Sequence, residues 1–491
     1  MKSKFSKVLS ILLSVVLVIS SFYLLYQVIR LNVLPSKFLF PLTIGVVVLD
    51  AIFILLLIYF SKNVVSKIIC VVLTLLVCAV SCFGGYYISK TKNALSDITN
   101  VAKHAKNTVS VIVKESSSIK DKSQLNGVSV GSLRLNEQGS KKVLKELSGE
   151  GIVLNQTEYD SMTALLEAFY NGEVDSIIIN ESSRSQILDM EAYSNFDSNT
   201  RVVYQTSYKV KNNDSATSVS DITSKPFNVL ISGSDTRGGF DENGRSDVIM
   251  IATVNPKTHT ILLTSVPRDF YVTTACDAGD GCMQGALDKI THTGIHGTNT
   301  TKRTVEQLLG IEINYTFKVG FDTVTELVDV LGGVDVYVEP GYATTTSEFS
   351  VHEGVNHLNA QQALAFARER YSYTEGDRQR TKNQQQVLMG IVKEATKPSV
   401  ITNYAAIMDT MANTFSTTMS NEEITDLIKY QLNNNPTWKM EQYMVDGTGD
   451  TLMCAELGDA ASVMVPDQST VKMAKDKINA VLAGKSSEDV K

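Results

Sequence analysis

The stretch FNVLISGSDTRGGFDENGRSDVIMIATVNPKTHTILLTSVPRD, residues 227–269, contains three strand-like apolar runs. They are Phe227–Ser232, Val248–Val254 and Thr260–Val266. The five residues NPKTH between the second and third runs have the length of a hairpin loop, whereas the link between the first two runs is longer and carries four glycines. The pattern predicts an antiparallel meander of three strands at the start of a large domain.

Charged residues stand at the ends of these runs. In an antiparallel meander, the end of the first strand, the start of the second and the end of the third share one edge of the sheet. The residues there are Asp235, Arg245, Asp247, Arg268 and Asp269. Carboxylates that converge without a His or Cys partner suit Mg²⁺, and the planar fork of arginine matches phosphate. The edge therefore indicates a metal–pyrophosphate site, with a ring of surface ion pairs as the alternative; a parallel arrangement of the strands would remove the convergence.

A second concentration of charge lies in FARERYSYTEGDRQRTKNQ, residues 366–384, where four arginines and a lysine face three acids in a chain of net charge −7. Asn359 is a candidate N-cap for a helix that carries Arg368 and Arg370 at its end. A second helix is predicted to begin at the GDRQR segment, and its residues at i, i+3 and i+7 are Asp377, Arg380 and Gln384. This face leads into an apolar stripe, which favours a buried site. The alternative is that Asp377 and Arg380 only cap the helix and pair with each other.

Three apolar runs precede the outer domains: Val8–Ile29, Phe38–Phe60 and Ile68–Ile88. Each reaches the roughly 20 residues that a helix needs to span a bilayer. A cleaved signal peptide would have one short apolar region, so a multi-pass anchor in the cell membrane is predicted. Three lysines before the first run favour a cytoplasmic N-terminus, which places everything after the third run outside the cell.

Composition divides the rest of the chain. Residues 1–90 form the three transmembrane helices, residues 91–215 an α/β accessory domain with strand–helix–strand order, and residues 222–485 the main domain. Residues 89–116 are predicted to form a polar helical stalk. The Ser-, Thr-, Asn- and Asp-rich segment 211–226 is predicted to be a linker.

Cysteines and histidines meet in one short region. Cys276 and Cys282 bracket the loop CDAGDGC, and a disulfide between them is expected outside the cell. His292 and His296 follow, so a zinc site is the alternative. Their spacing departs from the usual zinc-binding patterns, which favours the disulfide.

Several separated motifs then occur in a familiar order. They are NVLISGSDTR, GRSDVIMIATVNP, ILLTSVPRDFYV, DKITH, LVDVLGGVDVYV, HLNAQQALAFARER and GDRQRTKNQQ. Over residues 222–400 the chain resembles the LytR–CpsA–Psr family. Three spans and an extra α/β module before the catalytic domain look most similar to the CpsA branch, which belongs to streptococcal-type capsule systems. The resemblance implies an α-β-α catalytic domain around a central mixed β-sheet.

The resemblance also implies an activity. Members attach capsular or anionic glycans to peptidoglycan in Gram-positive cell walls, taking the glycan from an undecaprenyl-pyrophosphate carrier with the help of Mg²⁺. The family therefore implies a membrane-anchored phosphotransferase, with further capsule-machinery proteins as expected partners and no nucleic acid. DNA binding is disfavoured by the net charge of −7 and by the predicted position outside the cell.

The implied roles fall on the residues named above. Asp235 and Asp247 would hold Mg²⁺ on the pyrophosphate, and Lys289 in DKITH would contact phosphate or sugar. The implied phosphate clamp comprises Arg245, Arg268, Arg368, Arg370 and Arg380. Asp377 and Gln384 would line the same site. Asp247 and Asp377 are the candidates for a general base, and an acceptor that needs little early deprotonation is the alternative.

Two other functions fit parts of the pattern. One is a membrane-bound regulator of capsule polymerisation or expression, which would need a cytoplasmic main domain. The other is a polyisoprenyl-pyrophosphate hydrolase, in which water replaces the glycan acceptor.

Overall fold

The structure is a computed structural model that describes residues 2–60, 63–101, 104–211, 215–234, 242–276, 281–397 and 400–491. The chain divides into two compact units. The first comprises Met1–Asp97, Ala395–Ala412 and Ser420–Thr437. The second comprises Ile98–Glu394, Asn413–Met419 and Trp438–Lys491.

The first unit is built on three long apolar helices, α1 (Lys2–Leu31), α2 (Ser36–Leu55) and α3 (Val64–Val101). A π-helical turn, Leu56–Phe60, continues α2. With that turn included, each helix contains a segment long and apolar enough to cross a membrane; these segments are Lys7–Leu31, Ser36–Tyr59 and Val64–Thr99. The three predicted membrane helices are therefore confirmed.

The accessory module opens the second unit. Its elements are β1 (His104–Lys114), β2 (Ser129–Leu133), α4 (Glu137–Gly149), β3 (Asn155–Tyr159), α5 (Met162–Asn171), β4 (Ser176–Asn180), α6 (Arg184–Asp189), α7 (Phe196–Asn199) and β5 (Thr200–Lys211). The strands form one sheet in the order β3-β2-β4-β1-β5. Ser161 caps the start of α5 by accepting a hydrogen bond from the Ala164 amide, and Gly172 ends it at φ +80°.

The predicted stalk helix over residues 89–116 is wrong in its second half. Helix α3 ends at Val101, and β1 begins at His104. The segment Thr108–Lys114 is rich in β-branched residues, and β1 pairs antiparallel with β4 on one side and β5 on the other. The conformation of β1 is thus set by its pairing with two strands that lie far away in the sequence. The polar residues before it had favoured a helix.

The main domain follows in chain order. Its first half comprises β6 (Phe227–Ser234), β7 (Ser246–Asn255), β8 (Thr260–Val266), β9 (Tyr271–Thr273), β10 (Leu287–Lys289), α8 (Thr298–Leu309), β11 (Tyr315–Gly320), α9 (Phe321–Leu331) and β12 (Val334–Val338). Two-residue strands β13 (Thr344–Thr345) and β14 (Ser350–Val351) and the longer β15 (Gly354–Leu358) come next. The remainder comprises α10 (Ala360–Arg368), α11 (Asp377–Ala395), α12 (Val400–Thr414), β16 (Phe415–Thr417), α13 (Asn421–Asn434), β17 (Lys439–Met444), β18 (Gly447–Cys454), β19 (Asp459–Pro466) and α14 (Gln468–Leu482).

A six-stranded mixed sheet in the order β16-β11-β6-β7-β8-β17 forms the centre of this domain. Strands β6, β7 and β8 are antiparallel neighbours, which confirms the predicted meander. Strand β11 joins β6 in parallel, and β17 joins β8 in parallel. Ser234 pairs with Ser246, and Val266 pairs with Ile249, so the three predicted strand ends share one edge.

Helices cover both faces of this sheet. Successive residues of a strand point to opposite faces, and β8 shows both. Leu262 belongs to the core that also contains Val305 of α8 and Ile478 of α14. Ser265 points the other way, where its Oγ lies 2.9 Å from Nε2 of Gln385 on α11. The α-β-α layering of the main domain is therefore confirmed.

Helices α12 and α13 group with the apolar helices of the first unit. Nζ of Lys90 on α3 lies 2.7 Å from the carboxylate of Asp409 on α12. Nζ of Lys429 on α13 donates to Asn32 just after α1 at 2.9 Å. Polar contacts thus join α12 and α13 to the ends of the apolar helices.

Candidate active site

The sheet edge brings Arg245, Asp247 and Arg268 together. Arg245 directly precedes β7, Asp247 is the second residue of that strand, and Arg268 follows the end of β8. Nη1 of Arg268 lies 2.8 Å from Oδ1 of Asp247, and Nη2 of Arg245 lies 4.0 Å from Oδ2. The three side chains are 12%, 10% and 19% exposed in chain order, so these ion pairs are largely withdrawn from water.

Two neighbouring residues extend this edge. The Thr291 hydroxyl donates to Oδ1 of Asp247 at 3.3 Å. Nζ of Lys289, the last residue of β10, lies 3.3 Å from Oδ1 of Asp269, whose other oxygen lies 3.8 Å from Nε of Arg268. Asp269 therefore links Lys289 to the edge.

The second predicted cluster forms at the start of α11. The helix begins at Asp377 as predicted, and Nη2 of Arg380 lies 2.5 Å from Oδ1 of Asp377. The Arg380 side chain is 13% exposed. Burial lowers the pKa of Arg380, and the nearby guanidinium groups of Arg268 and Arg370 lower it further, against the opposing charge of Asp377.

The two clusters act on each other electrostatically. Burial by itself would lower the pKa of Arg268, but the charges of Asp247, Asp269 and Asp377 outweigh it and raise the pKa above the ordinary value. One of these carboxylates lies on α11 and the other two lie at the sheet edge. The fold therefore joins two sequence segments more than a hundred residues apart in one charged site.

Three buried arginine atoms in this site lack hydrogen-bond partners. Within the described part of the chain, Nε of Arg245, Nε of Arg268 and Nε of Arg380 are each buried and donate to no acceptor. Most buried polar atoms in folded proteins are hydrogen-bonded, so three such N–H donors in one place indicate a missing acceptor. A phosphate group supplies several acceptor oxygens of matching charge.

Asp189 of the accessory module is a site residue that sequence reasoning missed. It is the last residue of α6, and its carboxylate pairs with Nη1 of Arg245. The Asp189 side chain is 62% exposed. No spacing or motif signals this contact, because it depends on how the module packs against the main domain.

The other predicted residues differ in their surroundings. Arg368 ends α10 with an exposed side chain, and Gln384 is half-buried on α11. Nη2 of Arg370 donates to the hydroxyl of Tyr371 at 2.5 Å, and its guanidinium lies 4.7 Å from the centre of that ring. Asp235 lies outside the described residues.

The fit to Mg²⁺ rests on Asp247. Among the described residues, no group of three or more His, Cys, Asp or Glu side chains converges, so a site built from protein ligands alone is not found there. Mg²⁺ is commonly held by one or two carboxylates together with water and substrate phosphate, and Asp247 at the arginine-lined edge fits that mode. The site therefore suits a metal that arrives with its phosphate ligand.

The cysteines and histidines have structural partners. Cys276 and Cys282 form a disulfide, as expected. Nδ1 of His292 lies 2.7 Å from the Asp288 carboxylate, and Nε2 of His296 lies 3.0 Å from the carboxylate of Glu456. Each ring thus lies within hydrogen-bonding distance of a carboxylate, and the zinc alternative finds no support among the described residues.

Fold and site together define a class: a protein with membrane-spanning helices whose mixed α/β sheet carries a cluster of largely buried arginines at one edge. The chain belongs to the LytR_cpsA_psr family, whose family model matches residues 192–480, more than half of its length. The resemblance seen in the sequence motifs is thereby confirmed.

Named relatives are found in bacilli. A Bacillus cereus protein called polyisoprenyl-teichoic acid–peptidoglycan teichoic acid transferase TagU is 31% identical over 241 residues, which are 48% of this chain and 76% of the relative. The Bacillus subtilis protein of that name is 34% identical over 203 residues, 41% of this chain and 63% of the relative.

Two crystal structures are also similar. The B. subtilis TagU structure has 28% identity and a TM-score of 0.40, and the match covers 52% of this chain and 97% of that one. A Streptococcus agalactiae protein has 25% identity and a TM-score of 0.46, with 53% and 89% covered.

Proposed function

We propose that the protein is a membrane-anchored phosphotransferase that moves a capsular or anionic glycan from a polyprenyl-pyrophosphate carrier to peptidoglycan. The single observation that carries the proposal is the set of three buried Nε–H donors on Arg245, Arg268 and Arg380, which lack acceptors within the described chain. The names of the bacillar relatives, which describe transfer of a polyisoprenyl-linked polymer to peptidoglycan, support the same chemistry.

The reaction exchanges one bond to phosphorus for another. The acceptor hydroxyl oxygen attacks the phosphorus on the glycan side of the pyrophosphate, and its proton passes to Asp247 or Asp377, the two candidate bases, or to water. The bond from that phosphorus to the bridging oxygen breaks, and polyprenyl phosphate leaves with the electron pair. Phosphoryl transfer depends mostly on positioning and on stabilising charge, and arginines that are already in place provide both.

The arginines and the aspartates of the site have different roles. Arg268 and Arg380 face the site from opposite clusters and donate to phosphate oxygens. Asp247 and Asp377 hold these guanidinium groups at 2.8 and 2.5 Å, so little reorganisation is needed when charge develops. Asp247, with Asp235 from the sequence motif, would hold Mg²⁺, which neutralises charge on the pyrophosphate when bound.

We further propose that the main domain lies outside the cell, where peptidoglycan is found. Three lysines before the first membrane helix favour a cytoplasmic N-terminus, and three spans then bring the chain out. The Cys276–Cys282 disulfide suits an oxidising exterior. Reporter fusions at the C-terminus test this position, and a cytoplasmic signal would favour the membrane-bound regulator instead.

The activity is tested with full-length protein in detergent, a lipid-pyrophosphate-linked glycan and a peptidoglycan acceptor. Arg380→Ala should lower the transfer rate about 10²–10³-fold, the effect of losing one preorganised donor. Arg378→Ala is the matched control, because Arg378 lies on the same helix but pairs with Asp446 at 2.6 Å. Equal rates for the two variants would refute the site, and release of polyprenyl phosphate that needs no acceptor would identify a hydrolase.

A further inference from the structure

A cleft lies between the accessory module and the main domain, both of which belong to the second unit. Direct contacts beside the cleft join the accessory module to the main domain. Nζ of Lys106 lies 3.3 Å from the Glu242 carboxylate, and the Thr163 hydroxyl donates to the Leu457 carbonyl at 3.0 Å. The described lining residues include none of the arginines of the candidate active site.

Carboxamide side chains dominate the polar lining of this cleft. They are Asn107, Asn136, Gln138 and Asn180 from the module and Asn243 and Asn299 from the main domain. The other described lining residues are aliphatic residues, two glycines, Ser183, Tyr208, His296 and Glu456. Six carboxamides from two domains on one surface form a hydrogen-bonding site of mixed donors and acceptors.

Three of these carboxamides carry unpaired atoms. In the described part of the chain, Oδ1 of Asn107, Nδ2 of Asn136 and Oδ1 of Asn180 are buried without hydrogen-bond partners. The Asn107 side-chain amide donates to the Tyr208 hydroxyl at 3.4 Å. This bond holds Asn107 in place, while its Oδ1 remains without a partner among the described residues. Asn136 is 9% exposed. Buried amides of this kind call for a ligand or water that both donates and accepts.

The few ionisable residues that line the cleft indicate which kind of ligand it can bind. Among its described lining residues only His296 and Glu456 are ionisable at neutral pH, and they pair with each other at 3.0 Å. Phosphates and carboxylates would find no lysine or arginine among these described lining residues. We propose that the cleft binds a neutral sugar unit, whose hydroxyl groups satisfy a carboxamide in either orientation.

The size of the cleft agrees with one sugar ring. Its volume is about 90 Å³, counted as space for the centre of a water molecule. One water needs roughly 10–15 Å³ on that measure, so about six to nine waters fit, or roughly 180–270 Å³ of liquid. The cleft opens to solvent, so a longer oligosaccharide can continue beyond the bound ring.

The sugar has two possible sources, the wall glycan and the glycan being transferred. Full-length protein in detergent is titrated calorimetrically at millimolar concentrations with two probes, a β-1,4-linked N-acetylglucosamine tetramer and cellotetraose. Binding of the first alone assigns the cleft to wall glycan, and binding of the second alone or of both assigns it to neutral hexose units. Binding of neither overturns the proposal.

Variants on both walls locate the binding. Asn136→Ala and Asn243→Ala should each weaken it about 2- to 10-fold, the effect of losing one neutral hydrogen bond. Asn171→Ala is the matched control, since Asn171 is an exposed residue at the end of α5. If both wall variants bind the sugar as tightly as the natural protein, or if inorganic phosphate displaces the sugar, the sugar does not bind in this cleft and the proposal is wrong.

The proposal stands apart from the transferase activity. Arg380→Ala should bind the sugar as the natural protein does, even where transfer is lost. Thermal unfolding of each variant checks folding, and the two wall variants lie in different domains, so a defect in one leaves the other as a test.

Discussion

Asp189→Asn is expected to strengthen binding of the pyrophosphate substrate. In the structure the Asp189 carboxylate pairs with Nη1 of Arg245. We propose that the Arg245 guanidinium contacts phosphate when substrate binds, so Asp189 competes with the substrate. The Asp189 side chain is 62% exposed, so its ion pair resembles a surface pair rather than a buried one. Such pairs contribute about 0.2–1 kcal/mol, and a phosphate that replaces Asp189 must overcome that amount.

Removing the competitor should therefore lower KM for the lipid-linked glycan about 1.5- to 5-fold, because each 1.4 kcal/mol is a tenfold change. The free energy of unfolding should fall by no more than about 1 kcal/mol. Steady-state transfer at varied carrier concentration gives KM, and chemical denaturation of the same preparation gives stability.

Asp197→Asn provides the matched control. Asp197 pairs with Arg184 inside the accessory module at 2.9 Å, away from Arg245. Its loss should affect stability in the same range and leave KM unchanged. If Asp189→Asn leaves KM unchanged or raises it, Asp189 does not compete with substrate and the reasoning is wrong.

Three other changes have defined outcomes. Asp235→Asn combined with Asp247→Asn should remove the response of transfer to Mg²⁺, measured as rate against Mg²⁺ concentration; a remaining response would exclude both carboxylates as ligands. Cys276→Ser combined with Cys282→Ser should lower the free energy of unfolding by about 2 kcal/mol, because the loop is short, and a reducing agent should then have no further effect. Burial opposes ionisation of Glu441, but hydrogen bonds from a lysine and two serines lower its pKa to about 2 from 4.5. A depressed carboxyl pKa stabilises the fold above pH 4.5, and up to about 3 kcal/mol is lost as pH falls from 4.5 towards 2. In Glu441→Gln, the free energy of unfolding, measured by chemical denaturation, should change less between pH 4.5 and pH 2 than in the natural protein.

The central sheet was predictable because its signals are local. The five-residue link between β7 and β8 has hairpin length, and the resulting meander fixes which strand ends meet. That topology brought Arg245, Asp247 and Arg268 to one edge from sequence alone. The start of α11 was equally local, since Asp377 follows a glycine at φ +54° that ends the preceding turn.

Contacts between distant segments were not predictable in the same way. Strand β1 takes its conformation from β4 and β5, whose pairing sequence patterns do not reveal. The Asp189–Arg245 pair joins two domains across 56 residues of sequence. Arg368 illustrates a further limit: periodicity placed it at the end of a helix, but whether it faces the site depends on the direction of the chain beyond α10.

The balance of charge in the site bears on its need for a metal. Among the residues that the structure describes, which exclude Asp235, five cations face four carboxylates there. The cations are Arg245, Arg268, Lys289, Arg370 and Arg380, and the carboxylates are Asp189, Asp247, Asp269 and Asp377. A pyrophosphate joined to lipid and glycan carries two negative charges, one more than the excess of cations among these described residues, and Asp235 adds a further negative charge. Binding it alone would leave a net negative site of low exposure, which is unfavourable in a medium of reduced dielectric constant.

A divalent cation reverses that imbalance, which is our reason for proposing Mg²⁺ at Asp247. The same count gives a test, since Asp189→Asn removes one negative charge and so lowers the charge that a metal must balance. Transfer by this variant should therefore show a smaller ratio of rates with and without Mg²⁺ than the natural protein, whereas Asp197→Asn should keep the natural ratio. An unchanged ratio in Asp189→Asn would mean that Mg²⁺ acts on the leaving phosphate directly and not by balancing the charge of the site.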